Sequence, residues 1–206
     1  MRTALVMALV SGCAAAGAFA GINLEFRAVA PVWSVGDTVS VGLYAVGDVG
    51  GPTDSFSAAE VVFRWDPAYL DFTGLNAAGG APLLLSSFPL AGSGGLNEVA
   101  LPQDGDGYYR SYAQFLSPIV ATTGGTLIRT FQFEALAPTA STPIDILSSG
   151  GSPLVTTLVF DGTIPNFNVL GTIRGDSVQI IPSPGVMATV LAGVGLSASR
   201  RRRRLG

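Results

Sequence analysis

AAEVVFRWDPAYLDFTGL, residues 58–75, decides the fold. Within it Val61, Phe63 and Trp65 alternate with Glu60 and Arg64. A period of two puts apolar side chains on one face and charged ones on the other, as in an antiparallel strand lying on a core. Asp66-Pro67 then ends the strand, since Asp bonds nearby backbone N–H groups and Pro has none to give, and residues 70–75 resume as a second apolar run. The same alternation recurs on both sides. In residues 38–46 Val39, Val41, Leu43 and Ala45 oppose Ser40, Gly42 and Tyr44, and in residues 127–136 Leu127, Phe131, Phe133 and Ala135 oppose Thr130, Gln132 and Glu134. Residues 23–29, 108–115, 143–147, 156–160 and 177–181 are further strand candidates. Turn signals punctuate them at Gly36-Asp37, Asp66-Pro67, residues 104–107, Gly124-Gly125 and Gly150-Gly151. Nine or so short strands over about 160 residues predict an all-β, antiparallel two-sheet sandwich or jelly roll.

Composition removes whole classes of chemistry. The 206 residues contain no His and no Lys, and the one Cys is Cys13. A body without His or Cys has no Ser-His-Asp or Cys-His nucleophile system and no His- or Cys-ligated zinc or haem. Charged residues make up 12 % of the chain, about half the roughly 25 % usual in globular proteins. Their placement is uneven. Residues 22–180 hold five Arg against fourteen Asp and Glu, a net −9, while the whole chain is −3 because five more Arg stand together near the C-terminus. An acidic body without a basic patch is a poor partner for nucleic acid, which needs clustered cations against its phosphates.

Residues 1–20 read as an export signal. Arg2 precedes an apolar stretch at residues 4–10, and Ala18-Phe19-Ala20 supplies an A-x-A cleavage pattern, so cleavage is expected after Ala20. The rival reading is a lipobox, Val10-Ser11-Gly12-Cys13, with lipidation at Cys13. Residues 181–206 read as a sorting tail. Pro182-Ser183-Pro184-Gly185 leads into an apolar stretch at residues 186–196, and Arg200, Arg201, Arg202, Arg203 and Arg204 follow. The fifteen residues 185–199 fall short of the roughly 17–25 a spanning helix uses, and snorkelling Arg side chains extend the reach. The Arg cluster predicts a cytoplasmic anchor with the body outside. This order of Pro-x-Pro, short apolar helix and terminal Arg cluster resembles the PEP-CTERM sorting signal. The resemblance implies a membrane-embedded exosortase as processing partner, and delivery to the cell surface or the exopolysaccharide matrix. Ser183 stands where that signal usually has Glu. A plain tail anchor is the alternative.

Between the two ends, three segments resemble a cohesin-type domain, the sandwich related to certain carbohydrate-binding modules. They are VGDTVSVGLYAV at residues 35–46, residues 58–75, and GGTLIRTFQFEAL at residues 124–136, with RGDSVQI at residues 174–180 matching the last strand. The resemblance implies a cohesin-like sandwich over residues 22–180 and a structural or adhesive role, and it carries over no dockerin-contact residue.

Three residue groups invite chemistry, each with a plainer reading. Asp104 and Asp106 set two carboxylates two apart, a start for calcium. Tyr108, Tyr109 and Arg110 follow where further ligands are needed, and Asp-Gly before a strand also signals a hairpin. Asp66 and Asp71 make a formal carboxylate pair, but one opens a turn and the other a strand. Tyr108, Tyr109 and Tyr112 with Arg110 suggest a platform for sugar rings, yet by parity only Tyr108 and Tyr112 share a face, and strand aromatics commonly pack across strands. The Gly-, Ala- and Leu-rich residues 76–97 are too long for a structureless loop in a compact domain. They predict a hidden short helix or edge strand, or an apolar patch presented to a partner, with packing over one end of the sandwich the favoured reading. The expected function is therefore a secreted, non-enzymatic surface or matrix protein with no cofactor. A carbohydrate-binding module and a carboxylate-only glycan hydrolase are the alternatives, with envelope polysaccharide or another surface protein as possible partners.

Overall fold

A computed structural model describes residues 21–183 except 52, 90–101, 103, 114–116, 152–153 and 165. The expected signal at Ala18 and Ala20, the Cys13 alternative, Pro184 and Gly185 of the sorting motif, and Arg200 to Arg204 lie outside the described residues, as do the two flanking helices.

The first eight strands are β1 Ile22–Ala28, β2 Val32–Ser34, β3 Thr38–Gly47, β4 Ser55–Phe56, β5 Ala58–Trp65, β6 Leu70–Asn76, β7 Leu83–Ser87 and β8 Asp106–Ala113. The rest are β9 Ile119–Val120, β10 Thr126–Ala135, β11 Thr139–Leu147, β12 Ser149–Gly150, β13 Val155–Thr156, β14 Leu158–Phe160, β15 Leu170–Arg174 and β16 Asp176–Ile181. They form two main sheets. One has five strands in the order β15-β1-β3-β10-β6, and the other has seven, ordered β2-β16-β11-β5-β8-β7 with β14 extending the register of β11 along β5. The pairings are antiparallel except at the far edge, where β15 runs parallel to β1 and β2 parallel to β16.

The alternation read from sequence is the alternation of burial except at Leu127, where a register shift between Leu127 and Arg129 breaks the period, leaves Leu127 half-buried and puts Ile128 in the core instead. Val39, Val41, Leu43 and Ala45 of β3, Val61, Phe63 and Trp65 of β5, and Phe131, Phe133 and Ala135 of β10 all face the space between the sheets. Aromatic rings fill its centre. Phe131 meets Phe63 at 5.1 Å, Phe26 at 5.2 Å and Tyr109 at 5.3 Å between ring centroids, each edge to face, the geometry the ring quadrupole favours. Val62 departs from the pattern. It is buried on the outer face, where Tyr108, Leu147 and Val155 close over it in a satellite cluster.

Register fixes two poles. At one, β1 begins: Ile22 pairs with Gly47, its N–H donates to Val169 O, and β5 starts beside Phe160. At the other, Ala135 exchanges backbone bonds with the 34–37 turn, Leu136 N–H donates to Tyr69 O, and Ile181 O accepts from Val35 N–H. The ten residues of β10 run between these poles, about 30 Å at ~3.3 Å per residue. Residues 182–183 continue from the second pole.

Candidate functional site

The outer face of the seven-stranded sheet carries a polar cluster with a groove beside it. β5 and β8 pair so that Glu60 faces Arg110, Ala58 faces Tyr112 and Val62 faces Tyr108. Their outward side chains converge on one carboxylate. The Tyr108 hydroxyl donates to Glu60 Oε2, and the Tyr112 hydroxyl donates to Oε1 at 3.1 Å. Arg110 Nε lies 3.4 Å from Oε1, donates to the Tyr108 hydroxyl oxygen at 3.2 Å, and its guanidinium covers the Tyr108 ring. Burial first, and the bond to Glu60 second, push the Tyr108 hydroxyl up to about 12. Burial and then the Glu60 charge raise Tyr112 as well.

Next to this cluster runs a groove of about 550 Å³. Glu60, Ala58 and Tyr112 form its floor, with Leu84 of β7 on one wall and Phe160 and Ile164 on the other. Leu84 is 75 % and Ile164 86 % exposed. The Ile164 loop is held firmly. Asp161 accepts N–H bonds from Thr163 and Phe167, Asn166 accepts from Gly162 N–H, and Asn168 accepts from Val159 and Leu170 N–H. These bonds outweigh the effect of burial and hold the Asp161 carboxyl below its ordinary value. A large apolar side chain presented on a braced loop is a contact surface already ordered before a partner arrives, which lowers the entropic cost of binding.

Of the two readings of the tyrosines, packing rather than a sugar platform is what the strands build. Tyr108 and Tyr112 do share a face, but Tyr108 lies under the satellite cluster and both hydroxyls are spent on Glu60, while Tyr109 is a core residue. Nor does the opposite sheet offer a free ring. A Cβ on Gly42 would stand 2.5 Å from Tyr44 Cε2, so that ring lies against the bare backbone of residue 42, and Arg27 covers it at 4.7 Å.

Asp66 and Asp71 are not brought together. Asp66 Oδ1 accepts from Ala68 N–H at 2.9 Å and its carbonyl from Tyr69 and Leu70 N–H, the turn expected of Asp-Pro. It borders a shallow hollow of about 280 Å³ with Arg64 and Asp145, which pair at 3.2 Å. Asp71 sits on β6 opposite Glu134 in the other sheet.

The hairpin reading of residues 104–107 is corrected. Asp106 opens β8, whose partners are β5 and β7, and the latter ends at Ser87, far too distant in sequence for a tight turn. Gly105 makes the bend itself. Its φ is +99°, its carbonyl accepts from Trp65 N–H, and a Cβ there would press on Pro67 at 2.9 Å. Burial first and the Asp104 charge second raise Asp106. Among the described residues no group of three or more His, Cys, Asp and Glu is placed to hold a metal ion, and no helix is long and apolar enough to cross a membrane.

Sequence reasoning placed Glu60 and the tyrosines on strands but missed the groove. Its walls, Leu84 and Ile164, fall in segments without alternation, and only their being large and apolar amid Gly, Pro and Asn marked them.

With the fold and groove in view, solved structures supply the class. The sixth cohesin of scaffoldin B from Acetivibrio cellulolyticus, crystallised in complex with a Cel5 dockerin mutant, is similar at a TM-score of 0.56 and 15 % identity, over 78 % of this chain and 99 % of that one. The seventh ScaB type I cohesin of Pseudobacteroides cellulosolvens follows at 0.54 and 10 %, over 79 % and 94 %. A cohesin module from a family 33 glycoside hydrolase of Clostridium perfringens is similar at 0.51 and 12 %, over 80 % and 99 %. The chain thus has a cohesin-like two-sheet sandwich; at these identities the likeness is one of fold. No family model matches the sequence, and no curated protein matches it.

Proposed function

We propose that this chain is an exported, non-catalytic binding module that works at the cell surface or in the exopolysaccharide matrix, where its grooved sheet face holds a segment of another protein. The carrying observation is the groove itself: large apolar walls, Leu84 and Ile164, stand exposed above a floor whose one carboxylate is already shared among two tyrosines and an arginine. A carboxylate so occupied is a structural anchor rather than an acid–base catalyst, which needs a free lone pair or proton near the reacting atoms. The cohesin-like fold supports the reading, since one of its structural neighbours was crystallised holding a protein partner. The covered rings of Tyr44 and Tyr108 leave a sugar-stacking platform of tyrosines without support.

Delivery follows from the two ends. Cleavage after Ala20 frees the body, residues 186–204 hold it to the membrane with the Arg cluster inside, and an exosortase cuts near Pro182-Ser183-Pro184-Gly185. The test is retention of the protein in the envelope and matrix fraction of its host. Leu84→Asp with Ile164→Asp should release it into the medium at an unchanged melting temperature. Equal retention of the variant would remove the groove from the account.

A further inference from the structure

At the pole where the chain leaves the sandwich, apolar side chains stand in solvent around the exit. Val29 is 73 % exposed, Val32 45 %, Leu136 43 % and Ile181 39 %, and Pro31 and Pro138 beside them are exposed too. None is charged. They come from three separate connections, yet backbone bonds tie those connections together. Gln179 N–H donates to Pro31 O, Val35 N–H to Ile181 O, Gly36 N–H to Ala135 O and Leu136 N–H to Tyr69 O. Trp33 Nε1 donates to Ala30 O and folds the Val29-Ala30-Pro31 turn back on the sheet. The collar is a built surface.

Its position relative to the tail names what covers it. From Ile181 to Val186, where the apolar stretch starts, the chain makes five steps, at most about 18 Å at ~3.3–3.6 Å each. A membrane segment starting at Val186 therefore keeps this pole within reach of the bilayer surface, while Ile164 and the mouth of the groove lie at the other pole, about 30 Å further along β10. The net −9 body opposes lying flat on anionic lipid; the collar side chains add no charge of their own, and the exposed Asp37 of the 34–37 turn stands beside them.

We infer that, until the tail is cut, the collar of Val29, Val32, Leu136 and Ile181 seats in the lipid interface around it and stands the module upright, so that the groove faces away from the membrane toward partners in trans. This rests on the reading of residues 186–204 as a membrane segment. Contact made by apolar area is indifferent to salt, unlike attraction between charges.

The chain from Gly21 onward, the form left by the expected cleavage, offers clean labelling, because the one cysteine of the sequence, Cys13, precedes it. Single cysteines at Val29 and Leu136, and at Val49 and Ile164 of the opposite pole, receive an environment-sensitive dye. The labelled chain is then inserted into phosphatidylcholine vesicles in which a fraction of the lipid carries a headgroup nitroxide. The expected result is several-fold stronger quenching at positions 29 and 136 than at 49 and 164, unchanged between low and high salt. Equal quenching at both poles, or water-like emission at 29 and 136 in chain that floats with the vesicles, overturns the upright seat while leaving the anchor standing. A blue shift at those positions without nitroxide quenching means that a second copy covers the collar, and overturns it also. Chain that does not float removes the anchor, and the seat with it.

Discussion

Phe131→Ala tests how the two sheets are held together in a body without a disulfide. Phe131 is fully buried on β10, and its ring joins Phe26 of its own sheet to Phe63 and Tyr109 of the other at 5.1–5.3 Å, with Phe72 at 5.9 Å. Removing a buried Phe costs about 3–5 kcal/mol through lost transfer energy and the cavity left behind. For a domain of this size each kcal/mol lowers Tm by roughly 2–4 °C, so a fall of roughly 6–20 °C is expected. Phe131→Leu keeps most of the volume but loses the edge-to-face contacts with Phe26, Phe63, Phe88 and Tyr109, a geometry worth about 0.5–1.5 kcal/mol in a ring pair, and should fall between wild type and alanine. Leu154→Ser, at a site 68 % exposed, should stay within about 0.5 kcal/mol of wild type. Calorimetry together with urea unfolding reads all three, the urea slope checking that the transition stays two-state. A Phe131→Ala loss no larger than that of Leu154→Ser would refute the ring cluster as the bridge between the sheets.

Four further expectations follow from the same geometry. Tyr108 titrates above its ordinary 10.0, so the fold favours its neutral form; that stability is complete below pH 10, drains away as pH rises through about 12, and should show as alkaline unfolding. Glu60→Gln removes the acceptor charge and should move phenolate absorbance to lower pH, short of the free value because burial, the first cause, remains. Asp106 is raised by burial and then by Asp104, so its charged form is disfavoured in the fold. Asp106→Asn should raise Tm at neutral pH, the gain closing as acid protonates the wild-type carboxyl. Asp54 is fully buried, and its Oδ2 accepts from Val49 and Gly50 N–H at 2.6 Å; Asp54→Ala should cost about 1–3 kcal/mol and speed hydrogen exchange at those two amides. Calcium and a chelator should give the same Tm if Asp104 and Asp106 belong to the bend into β8; a calcium-dependent rise would restore the cation reading.

What sequence made legible were strands with one wet face. In β3, in β5 apart from Val62, and in β10 beyond its bulge at Leu127–Arg129 the period of two survives because each side chain has a single environment, and the expected and observed bounds differ by at most two residues. The segment around Leu83-Leu84-Leu85 hid an edge strand, β7. Its register shifts between Leu83 and Leu85 against β8, so three leucines in a row do not alternate, and Phe88 just beyond it reaches the core. β15 was missed because it is an edge strand with no buried residue, placed only by its parallel pairing with β1, which Leu170-Gly171-Thr172 does not advertise. The parity of Tyr108 and Tyr112 was readable, but what covers them was not. Val155, in a two-residue strand, closes over Tyr108, and no local pattern announces a long-range lid. The groove is a juxtaposition of β7, β8 and the 161–168 loop, and exists only once the topology is known.

The account stands or falls on the body being an exported piece of this chain. Mass spectrometry of the protein isolated from its host's envelope and extracellular fractions, reading both termini, tests that most directly. The predicted product begins at Gly21 and ends near Pro182-Ser183-Pro184-Gly185. Recovery of the uncut 206-residue chain from the cytosol would contradict it.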